Sequence, residues 1–200
     1  MTEKQIVPYR TQHLKRIPRH EIARKAAAVE YLTEQEYTSL MQAAKNYPEH
    51  KLLIRLLWET GLRISEALAL KHTDIYPDGI NIRHGKGDKQ RMVPCQPGLI
   101  GTLLRHSEDK ETGKVFNKIT TEPGSLYMLR RYANHACINK RVHPHLFRHS
   151  FAINFLKQTG DPFSLQTIGG WSDMETIKIY MRLAREMPAE AMAKMQFPEV

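Results

Sequence analysis

Two short stretches of this 200-residue chain place side chains where they could hold an anion. Arg63 follows Gly61-Leu62 at the start of an expected helix, where an arginine joins free backbone N–H groups. Glu66 stands three residues on, within reach to orient that guanidinium, although taken alone the pair reads as an ordinary helix-surface ion pair. His145 and Arg148 lie at i and i+3, on one face of a helix whose first turn Pro144 can set, so one phosphate could touch both. His143, His145 and His149 raise the question of a metal. No Asp, Glu or Cys lies close by and the arginine among them would repel a cation, so phosphate outranks metal. Trp171, after Gly169-Gly170, and Tyr180, about two turns into the next helix, each read in isolation as core aromatics.

The elements that must carry these residues are mainly helical. Apolar periodicity predicts helices over roughly Thr33 to Asn46, His50 to Thr60, Ile64 to Leu70, Gly98 to His106, Gly124 to Asn139 and His145 to Gln158. Thr33-Glu34-Gln35-Glu36 forms a capping box, with Leu32 and Tyr37 placed as a hydrophobic staple. Ser172-Asp173-Met174-Glu175 forms another, so a helix is expected from Asp173 with Thr176, Ile179, Tyr180, Leu183 and Met187 along one face. The segments 79–83 and 90–94 alternate like strands around Gly85-Lys86-Gly87-Asp88-Lys89, a β-hairpin whose basic tip alone would serve only solubility. The fold class expected is α+β: mainly α with a small antiparallel β-sheet.

Composition narrows the function classes. Lys plus Arg number 30 against 21 Asp plus Glu, a net charge of +9 that suits a polyanionic partner without proving one. Residues 1–30 hold seven basic side chains against three acidic ones and read either as a basic arm or as a solvated terminus. Cys95 and Cys137 make neither a disulfide scaffold nor a paired zinc motif, which points to a reducing cytosol. The most apolar stretch, 52–58, is broken by Arg55, and the first residues hold no secretory h-region.

Arg63, Lys86, His145 with Arg148, Trp171 and Tyr180, in this order and spacing, resemble the catalytic signature of the tyrosine recombinase (phage integrase) family. The resemblance spans residues 31–182. It runs through Tyr31-Leu32-Thr33-Glu34-Gln35-Glu36, Thr60-Gly61-Leu62-Arg63-Ile64-Ser65-Glu66-Ala67-Leu68, the hairpin 85–94, His143-Pro144-His145-Leu146-Phe147-Arg148-His149-Ser150-Phe151-Ala152 and Ile168-Gly169-Gly170-Trp171. Most relatives have histidine where this chain has Trp171, and some functional members use tryptophan there. Relatives usually add an N-terminal core-binding domain of about a hundred residues, whereas only the arm precedes Thr33 here. The chain thus looks like a catalytic domain (31–182) with an arm (1–30) and a tail (183–200), similar in size to the single-domain fimbrial invertases.

By that resemblance Tyr180 attacks a DNA phosphodiester, leaving a 3′-phosphotyrosine and a 5′-hydroxyl. A phenol with a pKa of about 10 is a poor nucleophile at neutral pH and needs a base; His145 is the candidate. Arg63 and Arg148 would bind the non-bridging oxygens, Trp171 would donate its indole N–H, and Lys86, or alternatively Lys89, would protonate the leaving oxygen. Glu66 and His149 support these groups. Lys89, Arg91, Lys15, Arg16 and Arg19 would face DNA. No cofactor follows from this set, because the covalent intermediate conserves the bond energy and the arginines supply the charge. The expected partners are double-stranded DNA and, on it, a homotetramer assembled from free monomers through the tail; the expected place is the cytoplasmic nucleoid. The rivals are a type IB topoisomerase and a catalytically silent DNA-binding regulator of the same fold.

Overall fold

The computed structural model describes residues 29–83, 90–108, 110 and 112–184. Helix α1, Glu34–Ala43, starts where the capping box predicts: Thr33 Oγ1 accepts from the Glu36 N–H and the Glu36 carboxylate accepts from the Thr33 N–H. Four further starts lie slightly earlier than the periodicity alone suggests, because proline occupies the first turn. These are α2, Pro48–Thr60; α4, Pro97–Ser107; α5, Glu122–His135; and α6, Pro144–Thr159. Between α2 and α4 come α3, Ile64–Ala69, a 3-10 turn at His72–Asp74, and three strands. The site-bearing end of the chain holds α6, Pro144–Thr159, then α7, Pro162–Gly169, and α8, Met174–Ala184.

Several expectations are corrected. The first helix stops at Ala43 and α5 at His135, short of Asn46 and Asn139; after α5 the backbone of Cys137 turns to φ 53, a reversal with neither glycine nor proline to announce it. Helix α7 was not expected; it is only eight residues long, capped by the Asp161 carboxylate on the Phe163 and Ser164 N–H groups. Helix α8 starts one residue late, with Asp173 accepting from the Glu175 N–H. Its buried face is Ile177, Tyr180 and Ala184, while Thr176, Ile179 and Leu183 are only half-buried; Met187 lies outside the described residues.

The hairpin is present, with β2, Gly79–Ile82, antiparallel to β3, Arg91–Pro94, in a register that sets Ile82 opposite Arg91. A two-residue strand β1, Ile75–Tyr76, extends it to order β1-β2-β3. Gly79 is required there, since a Cβ would lie 2.5 Å from the Val93 carbonyl oxygen.

Two apolar clusters meet at the site. The larger spans α1 to α5, with Leu52, Leu53, Ile54, Leu56 and Leu57 of α2 buried at its centre and Phe147 of α6 at its edge. The smaller joins the far half of α6 to α7 and α8 through Ala152, Ile153, Leu156, Leu165 and Ile177. Arg55, which interrupts the apolar run of α2, turns outward to Glu59 and Thr102. Burial of this kind stabilises at about 25 cal/mol per Å² of apolar surface, which is what holds the site-bearing segments at fixed spacing.

Candidate active site

The C-terminal end of α7 organises the site. Its last carbonyls point out unpaired by the helix, as at any helix C-terminus, and three consecutive ones each accept from a different arginine. Ile168 O accepts from Arg91 Nε at 3.0 Å, Gly169 O from Arg148 at 2.8 Å, and Gly170 O from Arg63 at 3.2 Å. Glycine is needed at both final positions. Gly170 has φ 64, and a Cβ on Gly169 would lie 1.7 Å from a carbon of the Trp171 ring, which folds back over it.

Arg148 is 5% exposed, although it carries a charge. Besides Gly169 O it donates to Gly61 O, at the left-handed C-cap of α2, at 2.8 Å. Its guanidinium carbon lies 3.8 Å from the Trp171 ring centroid. Burial pulls its pKa down to about 10, with Arg63 adding to the effect, so it remains a cation at neutral pH. A guanidinium has five N–H donors, and the two carbonyls use two of them.

Arg63 is half-buried, and its partner Glu66 is almost wholly buried. The Glu66 carboxylate accepts from the Arg63 N–H at 2.9 Å, from the Arg63 guanidinium at 2.9 Å, and from both terminal nitrogens of Arg91 at 2.9 and 3.0 Å. Burial pushes this carboxyl up, and the hydrogen bonds from Arg91 and Arg63 outweigh that and hold it below the usual carboxylate range. The backbone N–H of Arg63 is therefore occupied by Glu66 and is not open to an incoming anion. Nor is the pair an ordinary surface ion pair.

Arg91, expected to face DNA, instead has its guanidinium between Glu66 and Ile168 O, with its side chain 12% exposed. The physical reason is the register of β3, which turns Arg91 toward the buried carboxylate. No periodic signal in 90–94 distinguishes an inward from an outward arginine.

Tyr180 is 4% exposed, its ring edge-on to Trp171 with centroids 5.8 Å apart. Its hydroxyl lies 2.8 Å from His149 Nδ1. The imidazole that meets the hydroxyl is thus His149 and not His145, which is exposed one turn earlier on α6. Burial holds the His149 imidazole down to about 4, with His145, His143 and Arg148 adding positive charge nearby, so the ring is neutral at pH 7. Burial pushes the Tyr180 phenol above its ordinary value, and Arg148 offsets this only in part. His143 and His145 have ring centroids 6.4 Å apart, and among the described residues no group of His, Cys, Asp and Glu is arranged to hold a metal. Lys86, Lys89, Lys15, Arg16 and Arg19 lie outside the described residues.

Arg63, Arg148, Trp171 and Tyr180, from four separate segments, thus converge on one polar junction, and the sequence profile of the phage integrase family matches residues 30–187. The chain belongs to the phage integrase family. The tyrosine recombinase of Thermosipho africanus (strain TCF52B) is 33% identical over 191 residues, covering 91% of this chain and 66% of the relative. The catalytic domain of bacteriophage HP1 integrase superposes with a TM-score of 0.67 at 26% identity, covering 83% of this chain and 95% of that one. The XerH site-specific recombinase in a post-cleavage complex with its palindromic difH substrate gives 0.67 at 25%, covering 83% and 53%. The fold is that of a tyrosine recombinase catalytic domain. The chain spans about half to two thirds of the length of the curated recombinases it matches.

Proposed function

We propose that this chain is the catalytic unit of a site-specific DNA recombinase that cleaves and rejoins strands through a 3′-phosphotyrosine at Tyr180, without metal or ATP. The observation that carries the reading is the buried, cationic Arg148, which spends two of its five N–H donors on carbonyls, touches no carboxylate among the described residues, and shares the Trp171 ring with Tyr180. Such a cation favours an anionic visitor, and its field stabilises negative charge that grows during attack on phosphorus. Arg63, braced by Glu66, supplies the second fork; in other phosphoryl transfers an arginine in this role is worth roughly 10³- to 10⁵-fold. In this reading His145, at the exposed first turn of α6, donates to the same phosphate. Lys86 is the acid for the leaving 5′-oxygen, with Lys89 as the alternative.

The natural partners in this reading are double-stranded DNA and three further copies of the chain on it. The relative captured in a post-cleavage complex with its difH substrate supports the DNA partner. The arm, 1–30, wraps the duplex and the tail, 183–200, docks on the neighbouring protomer. Deleting residues 1–30 is then expected to weaken DNA binding and flatten its salt slope, and truncation after Leu183 to leave cleavage while abolishing strand exchange. No helix among the described residues is long and apolar enough to cross a membrane, and the reading places the protein on the nucleoid in the cytoplasm.

The test is a suicide-substrate trap. Nicked duplexes from the protein's genomic neighbourhood, and duplexes selected by the protein from a random-sequence pool, are expected to yield an SDS-resistant complex that Tyr180→Phe does not form. Wild-type protein that binds these duplexes and forms no complex would identify a silent DNA-binding regulator. Site-independent relaxation of supercoiled plasmid would identify a topoisomerase.

A further inference from the structure

His145 and His149 stand four residues apart, on one face of α6 and one turn from each other. Tyr180 of α8 meets the inner of the two: its Oη is 2.8 Å from His149 Nδ1, and the two ring centroids are 5.7 Å apart. His149 is half-buried and directly follows Arg148, so the same turn of helix carries the buried cation and the imidazole nitrogen that meets the Tyr180 hydroxyl. The charged and titratable groups around it are His143, His145 and Arg148 on its own helix and Tyr180 on α8, with Arg63 and Glu66 behind Arg148.

We propose that His149, and not His145, takes the Tyr180 proton during strand cleavage and returns it during rejoining, an assignment that rests on the recombinase reading above. In the cleavage step the Tyr180 Oη–phosphorus bond forms and the phosphorus–O5′ bond breaks. The phenolic proton passes to His149 Nδ1, and the leaving 5′-oxygen takes a proton from Lys86 or solvent. In the reverse step the O5′–phosphorus bond forms and the Tyr180 Oη–phosphorus bond breaks; the 5′-hydroxyl returns its proton to Lys86 or solvent, and the imidazolium protonates Tyr180 Oη. The site suits this alternation because the imidazole charges only when the phosphate bears its extra negative charge. Without DNA, burial, with the positive charge of Arg148 nearby, keeps the ring neutral, and burial keeps the phenol protonated.

The step requires the His149 tautomer with Nδ1 bare and Nε2 protonated. Nitrogen-15 spectra of the DNA-free protein, assigned by comparison with His149→Gln, are expected to show that tautomer; an Nδ1–H tautomer overturns the proposal. On the trapping duplexes, His149→Gln keeps an acceptor but cannot carry a proton. Its single-turnover cleavage should fall by roughly 10²- to 10⁴-fold near neutral pH. Its rate should rise about tenfold per pH unit, where the wild type levels off. His145→Gln should keep the wild-type shape of the pH profile whatever its rate. Thermal melts and DNA affinity of His149→Gln establish that the variant folds and binds. Wild-type trapping with His149→Gln within about threefold of it, on the same pH profile, removes the role and leaves the recombinase reading intact. Absence of any wild-type complex removes both.

Discussion

The guanidinium of Arg148 lies over the indole of Trp171, its carbon 3.8 Å from the ring centroid. The same ring meets Tyr180 in an edge arrangement, centroids 5.8 Å apart, so one aromatic side chain contacts both the cation and the nucleophile. Tryptophan does here by shape what a titrating residue cannot: it has no second protonation state, and its wide face covers a guanidinium that is otherwise held only by carbonyls.

Trp171→Ala is expected to lower single-turnover cleavage by tenfold or more, since a desolvated cation–π contact is worth about 2 kcal/mol. Trp171→Phe, which keeps a face for Arg148, should retain most of the rate. Equal trapping by Trp171→Ala and wild type would count against this placement. Gly169→Ala should mimic Trp171→Ala, because the added methyl occupies the ring's position.

Glu66 holds two arginines with one buried carboxylate. Glu66→Ala leaves both cations uncompensated and is expected to destabilise the fold by about 3–5 kcal/mol. Glu66→Gln keeps part of the hydrogen bonding and should fall between the two. Urea unfolding monitored by circular dichroism measures this, and a change under about 1 kcal/mol in Glu66→Ala would contradict it.

Arg91 distinguishes bracing from DNA contact. A side chain that touches a phosphate contributes about 0.9 to the slope of log affinity against log salt. Arg91→Ala is expected to leave that slope unchanged while lowering the yield of trapped complex, because Arg63 loses the partner that shares its carboxylate. A slope reduced by about one, with cleavage intact, would restore Arg91 to the DNA surface.

Acid should destabilise the protein in two separate windows. His149 has a folded pKa of about 4 against an ordinary 6.5, so its unfolded form binds a proton that the folded form refuses. Stability from this source is fully present above pH 6.5 and is lost as pH falls toward 4. His50, His72 and His143, all held low by burial first, act in the same direction from 6.5 downward. Glu66 acts lower, its contribution present above its ordinary 4.5 and lost as pH falls through its depressed folded value. Melting temperatures from pH 7 to 4 should therefore decline more gently in His149→Gln than in wild type, and parallel curves would refute the assignment.

The strongest local signals were legible without coordinates. The capping box at Thr33 places the start of α1, and strand alternation around a glycine-rich tip predicts β2 and β3. Helix α7 and strand β1 were not legible, because eight and two residues are too few for periodicity to rise above chance. The stop of α5 was missed because Cys137 reverses the backbone without a breaker residue.

The order of Arg63, His145, Arg148, Trp171 and Tyr180, and hence the family, is carried by the sequence itself, since motif residues are covalently tied to their neighbours. Tertiary structure alone decided the partners. That Arg91 faces Glu66, that three arginines share three consecutive carbonyls at the end of α7, and that His149 and not His145 meets Tyr180 all depend on contacts across 21 to 107 positions of chain. Contacts at that range follow from the way the two apolar clusters pack α6 against α2 and α8, and a helical period of 3.6 residues does not encode which of two histidines one turn apart will meet the opposite helix.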